Sequence, residues 1–130
     1  MTLDHIGIAV SSIEEALKSY QTGLGFSVRD IVTLDHQKVR VAVLPSGESR
    51  IELLEPTGTA SPIQKFLNKR GEGVHHLCFK VGNLEEKLRE LRESAIQVLD
   101  SVPCLGLESR KIVFLHPKST HGVLIELVEE

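Results

Sequence analysis

Leu3-Asp4-His5-Ile6-Gly7-Ile8-Ala9-Val10 and Val74-His75-His76-Leu77-Cys78-Phe79-Lys80-Val81 are two readings of one pattern. Each is a β-rich run with a histidine near its start. Each is answered downstream by an apolar run that holds one glutamate. These are Arg50-Ile51-Glu52-Leu53-Leu54 in the first half and Leu124-Ile125-Glu126-Leu127-Val128 in the second. One polar residue placed alike in two copies of a motif points to a shared task. Two histidines and two glutamates brought together in one fold make a metal site.

The segments between these runs repeat as well. In the first half, residues 3–10 read as a strand. Ser12-Ile13-Glu14-Glu15 then has the form of a capping box. A helix follows with Ile13, Ala16, Leu17 and Tyr20 at core spacing, ended by Gly23 and Gly25. Strands are expected at 27–33, 39–44 and 49–55, with a polar segment at Asp35-His36-Gln37-Lys38 and a turn at Pro45-Ser46-Gly47. In the second half, 74–81 is a strand and Asn83-Leu84-Glu85-Glu86 caps a helix with Leu84, Leu88, Leu91 and Ala95. Strands follow near 96–100, 111–115 and 122–128. Between the halves lies a short helix, with Ser61 as N-cap, Pro62 at its first position, Gln64 at its third, and Gly71 and Gly73 beyond its end.

The expected fold class is therefore α+β: two tandem β-α-β-β-β units whose curved sheets form an open cup. It is read as a single domain over 1–130, with repeat one at about 1–56, the linker helix at about 57–73 and repeat two at about 74–130. Strand alternation puts Ile6, Ile8 and Val10 under the first helix and turns His5 the other way. It puts Leu77, Phe79 and Val81 under the second helix and His76 opposite them. His75 falls on the helix side.

Composition bounds the function. The chain has 130 residues, 41% hydrophobic and 25% charged, with a formal net charge of −3. That is enough chain for a real core. With no basic run it does not read as a nucleic-acid binder. It has no apolar stretch of membrane-spanning length and no signal-peptide pattern, so the expectation is no membrane and a cytoplasmic location. Cys78 and Cys104 fit no zinc spacing, and both thiols are expected reduced.

Taken singly, a strand histidine is more often hydrogen-bonded than metal-bound. Together the four residues read differently, because an unpaired carboxylate in an apolar sheet is very costly. His5, Glu52, His76 and Glu126 would leave open positions on a six-coordinate divalent ion, and open positions usually mean chemistry. His36, His116 and His121 read as loop or strand-end histidines. Lys65, Lys69 and Arg70 read as a solvated face, and Asp4 as exposed.

These marks resemble the vicinal oxygen chelate superfamily, which includes glyoxalase I, extradiol dioxygenases and methylmalonyl-CoA epimerase. Within it, the chain is similar to methylmalonyl-CoA epimerases over essentially its full length. The distinguishing stretches are Ile51-Glu52-Leu53-Leu54-Glu55-Pro56, Ser61-Pro62-Ile63 with Lys65-Phe66-Leu67, Gly71-Glu72-Gly73-Val74-His75-His76, and Phe114-Leu115-His116-Pro117-Lys118. The resemblance implies His5, Glu52, His76 and Glu126 as ligands of a divalent metal. Cobalt is the first candidate, and manganese, nickel, zinc and magnesium are the others. It implies epimerisation of (2R)- and (2S)-methylmalonyl-CoA by 1,1-proton transfer through a metal-chelated enolate, in propionate metabolism. It further implies an acyl-CoA substrate and a homodimer. The alternatives are glyoxalase I (lactoylglutathione lyase) and a non-catalytic binding module of the same fold. Position 52 is Gln in some epimerases and Glu here. The strand-three glutamate that some relatives use as a base aligns with Val41, so the catalytic roles fall to Glu126, with Glu52 opposite it. Leu105-Gly106-Leu107-Glu108-Ser109-Arg110 departs from the Gly/His-rich loop of relatives.

Overall fold

The computed structural model describes residues 1–99 and 104–130. They form two compact units, His5–His75 and Met1–Asp4 with His76–Glu130. The first unit holds most of β1 (Thr2–Ala9), then α1 (Ile13–Leu17), β2 (Asp30–Leu34), β3 (Val39–Ser46), β4 (Ser49–Pro56) and α2 (Pro62–Arg70). The second holds β5 (Gly73–Val81) from His76 onward, α3 (Leu84–Glu93), β6 (Cys104–Leu105), β7 (Lys111–Leu115) and β8 (Ile125–Glu129). β1 runs parallel to β4, and β3 is antiparallel to β2 and β4. β5 runs parallel to β8, and β7 is antiparallel to β6 and β8. Both units thus have β-α-β-β-β order with the same pairing scheme, as the sequence implies. Among the described residues no helix is long and apolar enough to cross a membrane.

The sequence explains why each helix starts where it does. Ser12 is extended and its hydroxyl accepts from the Glu15 amide, while the Asn83 side chain accepts from the Glu86 amide. Each first turn has a second acceptor. Glu55, three residues past Glu52, accepts from the Ile13 amide at 2.9 Å. Glu129, three residues past Glu126, accepts from the Leu84 amide at 3.1 Å. A carboxylate at a helix N-terminus satisfies an orphan donor and meets the positive end of the helix dipole. So in both units the strand that carries the buried glutamate also caps the helix. Arg40 on β3 bonds both Glu55 and Glu14, and its guanidinium holds the Glu14 carboxyl below the ordinary glutamate range.

Under α1, Val10, Ile13, Ala42, Leu44 and Leu53 form a buried cluster with Ile8, Ala16, Leu17 and Tyr20 against it. Under α3, Val81, Leu84, Leu88, Val113, Leu115 and Leu127 do the same. The alternation argument therefore holds for Ile8, Val10, Phe79 and Val81.

Several expectations are corrected. The first helix passes into a π-helical stretch at Lys18–Gly23 rather than continuing as α-helix, and Gly25 then takes φ +88°. β2 begins at Asp30, not 27. β3 runs through Pro45 and Ser46, so the hairpin turn is at Gly47 and Glu48. At α2 the expected arrangement holds, with Ser61 accepting from the Ile63 amide and Gln64 at the third helical position, where it bonds Asn68 at 2.9 Å. β8 begins at Ile125, not 122. The strand expected near 96–100 is reduced to one bridge, Val98 to Leu115, and position 100 lies outside the described residues. The Cys104 thiol lies outside them too.

Ala95 is the instructive miss. It is not a core residue but stands one past the helix cap with φ +60°, exposed. Its amide bonds the Arg92 carbonyl and that of Ile96 bonds Leu91, the paired bonds of a Schellman ending. That position favours glycine, because a Cβ is strained at positive φ. Ala95→Gly should therefore stabilise the protein, by about 1 kcal/mol. Leu84→Ala, by contrast, empties a fully buried site and should cost about 2–5 kcal/mol. Urea denaturation of both variants checks the pair of signs.

Candidate metal centre

Strand alternation delivers one histidine and one glutamate to the non-helix face of each unit. In the first unit Ile51 and Leu53 pack beneath α1, which turns Glu52 to the other side. Glu52 lies beside Gly7 of β1 on one side and Val43 of β3 on the other. Its Oε2 is 3.2 Å from His5 Nδ1 and only about 5% of either residue is exposed. In the second unit Ile125 and Leu127 pack toward α3 and Glu126 faces away, beside Cys78 and Phe114. His76 Nε2 is 2.9 Å from Glu126 Oε1, with both side chains buried, and the Phe114 ring stands edge-on to the imidazole at 5.8 Å.

The structure thus brings His5 to Glu52 in one unit and His76 to Glu126 in the other. His75 turns to the opposite side, half-buried, its ring edge-on to Phe66 at 4.9 Å. His36 and His121 are exposed, and His116 accepts from the Lys118 amide. Lys65, Lys69 and Arg70 are exposed on α2. Val41 is buried on β3 and carries no ionisable group.

The donor chemistry suits a divalent ion. Imidazole nitrogen and carboxylate oxygen are the ligand types that cobalt, zinc, nickel and manganese accept, and magnesium favours the oxygens. All four donors are withdrawn from water, where a carboxylate without a cation partner would be costly.

Two features of these units were missed from the sequence. Arg50 Nε donates to Glu52 Oε2 at 2.8 Å, and its side chain is largely buried. It sits two residues before Glu52 on the same strand, so the period of two was the available signal. Asp4, expected exposed, is only 5% accessible and pairs with Arg110 Nη1 at 3.2 Å. Arg110 Nε also donates to the Glu129 carbonyl. The departing loop therefore contributes an arginine that ties the start of β1 to the strand bearing Glu126. No local pattern could have joined residues so far apart.

Residues 4–114 match the model of the glyoxalase/bleomycin resistance protein/dioxygenase superfamily. An uncharacterised Bacillus subtilis protein, YqjC, is 42% identical, over 98% of this chain and 91% of its own length. The human mitochondrial methylmalonyl-CoA epimerase is 37% identical, over 96% of this chain and 72% of its own. A Streptomyces coelicolor methylmalonyl-CoA epimerase solved with 2-nitronate-propionyl-CoA superposes with a TM-score of 0.93 at 37% identity. It covers 100% of this chain and 97% of the other. The chain has the glyoxalase-type fold, and it belongs within that superfamily to the methylmalonyl-CoA epimerase family.

The Asp4–Arg110 pair generates a stability test. Asp4→Ala leaves a half-buried guanidinium short of an acceptor and should cost about 1–3 kcal/mol. Arg110→Ala alone should cost a similar amount, and the double variant should cost less than the sum of the two. Additive losses in denaturant titrations would show that the two residues do not support one another.

Proposed function

We propose that this chain is a metal-dependent epimerase that interconverts (2R)- and (2S)-methylmalonyl-CoA. The observation that carries the reading is the matched pair of buried His–Glu contacts, one in each unit. The family relatives support the reaction class. His5, Glu52, His76 and Glu126 together would hold one divalent ion, cobalt first among the candidates. The working assembly is a cytoplasmic homodimer that takes an acyl-CoA from solution.

Inverting C2 means removing a proton beside a thioester and returning one to the other face. A bound divalent ion supplies stabilisation of the negative charge that develops on substrate oxygen. The remaining work belongs to the chain. The two imidazoles hold the carboxylates in place. The apolar walls around Glu52 and Glu126 exclude water, which strengthens every electrostatic contact inside. Proton transfer needs a carboxylate near C2, and Val41 offers none. Glu126 takes the proton on one face and Glu52 is its opposite number. Arg50 Nε donates to one oxygen of Glu52, which assigns Glu52 to holding the ion and Glu126 to moving the proton.

Deuterium exchange at C2 of methylmalonyl-CoA in heavy water tests the assignment. Glu126→Gln keeps shape and an oxygen donor but cannot take a proton at neutral pH. With Co2+ in excess it should keep its metal and lose exchange by about 100-fold or more. Glu52→Gln should lose less. Metal content measured on the same samples separates lost binding from lost chemistry. Near wild-type exchange in metal-loaded Glu126→Gln would overturn the role of Glu126.

A further inference from the structure

The two units match at the histidine, the glutamate, the side-chain cap and the second cap three residues beyond the glutamate. They differ two residues before the glutamate. Two residues before Glu52 stands Arg50, and two residues before Glu126 stands Leu124. Arg50 lies on β4 and shares a face with Glu52, whereas Leu124 precedes β8. Arg50 is largely withdrawn from solvent, and its Nε lies 2.8 Å from Glu52 Oε2. His5 Nδ1 meets the same oxygen at 3.2 Å, so both contacts converge on Oε2. In register, Arg50 faces His5 on β1 and Pro45 on β3. A buried guanidinium is kept ionised and costs desolvation, so its placement against a carboxylate needs a use.

We infer that Arg50 sets the charge of the site: it fixes Glu52 and offsets its negative charge, leaving a metal-loaded centre with one positive charge to hold the free carboxylate of an acyl-CoA substrate. This rests on the four-ligand reading above. The counting is simple. Two carboxylates cancel one divalent ion, two neutral imidazoles add nothing, and Arg50 supplies the remaining unit. Without Arg50 the loaded centre is neutral, and a monoanionic acyl group loses its electrostatic anchor. Arg50 acts through Glu52 and through its field, so it is a positioning residue rather than a catalytic one.

A charge-setting role and a merely structural one predict opposite signs. Co2+ affinity is measured by calorimetry on the wild type, Arg50→Gln, Arg50→Lys, Glu52→Gln and the double variant Arg50→Gln/Glu52→Gln. KM and kcat for methylmalonyl-CoA are measured on the Co2+-loaded samples. Arg50→Gln removes a positive charge from beside the ion, so Co2+ should bind more tightly, by about tenfold or more, a conservative figure for charges several ångströms apart in a poorly hydrated site. The same variant should raise KM by about tenfold, with a smaller change in kcat, because an electrostatic anchor contributes to binding before chemistry. Arg50→Lys keeps the charge and should stay near the wild type on both readouts. The double variant removes one charge of each sign, so the two opposite effects should offset one another and return both values to within about threefold of the wild type. Weaker Co2+ binding in both Arg50→Gln and Arg50→Lys would make Arg50 a structural prop and overturn the inference. A double variant that stays tenfold from the wild type on both readouts would overturn it as well. A wild-type protein that binds no Co2+ would sink the four-ligand reading, and Arg50's role with it. Normal wild-type binding with a double variant that does not recover would sink only the role of Arg50.

Discussion

A carboxylate buried in an apolar sheet must be paired, and that constraint organises both units. Glu52 and Glu126 each lie between two aliphatic residues committed to the opposite face. The packing of the helices therefore holds the glutamates where they are, and neither can turn to water without breaking the core beneath its helix. A histidine from the neighbouring part of the unit meets each one. Burying such groups costs more than leaving them at a surface, a cost that a bound cation would offset.

The same strands do a second task. Glu55 and Glu129 follow the buried glutamates by three residues and so point to the helix side, where they accept the first amides of α1 and α3. One strand thus buries a charge on one face and satisfies a helix dipole on the other. This couples the helix position to the site through a single rigid element. Arg40 extends the arrangement in the first unit by tying Glu55 to Glu14, and Arg110 extends it in the second by tying Asp4 to the Glu129 carbonyl.

What could be read from the chain depended on the range of the interaction. The period of two placed His5, His76, Glu52 and Glu126 on one kind of face, and the capping patterns at Ser12 and Asn83 located the helix starts. These are local signals. Ala95 was misread because it continued the helical spacing, while the chain had already left the helix with a Schellman ending. The strand near 96–100 was over-read from its aliphatic residues, since pairing depends on the distant Leu115. Asp4 was misjudged because its partner Arg110 is remote in sequence. Arg50 was within reach, because it shares a strand face with Glu52.

The central claim is that the two His–Glu pairs serve one ion. Crystals of the wild-type protein soaked with Co2+, with data collected at the cobalt absorption edge, test it directly. The account predicts a single anomalous peak about 2.0–2.2 Å from a nitrogen of His5, a nitrogen of His76 and one oxygen each of Glu52 and Glu126, the distances expected for such donors. A cobalt peak bound by the residues of one unit alone, or no peak at these four residues, would contradict it.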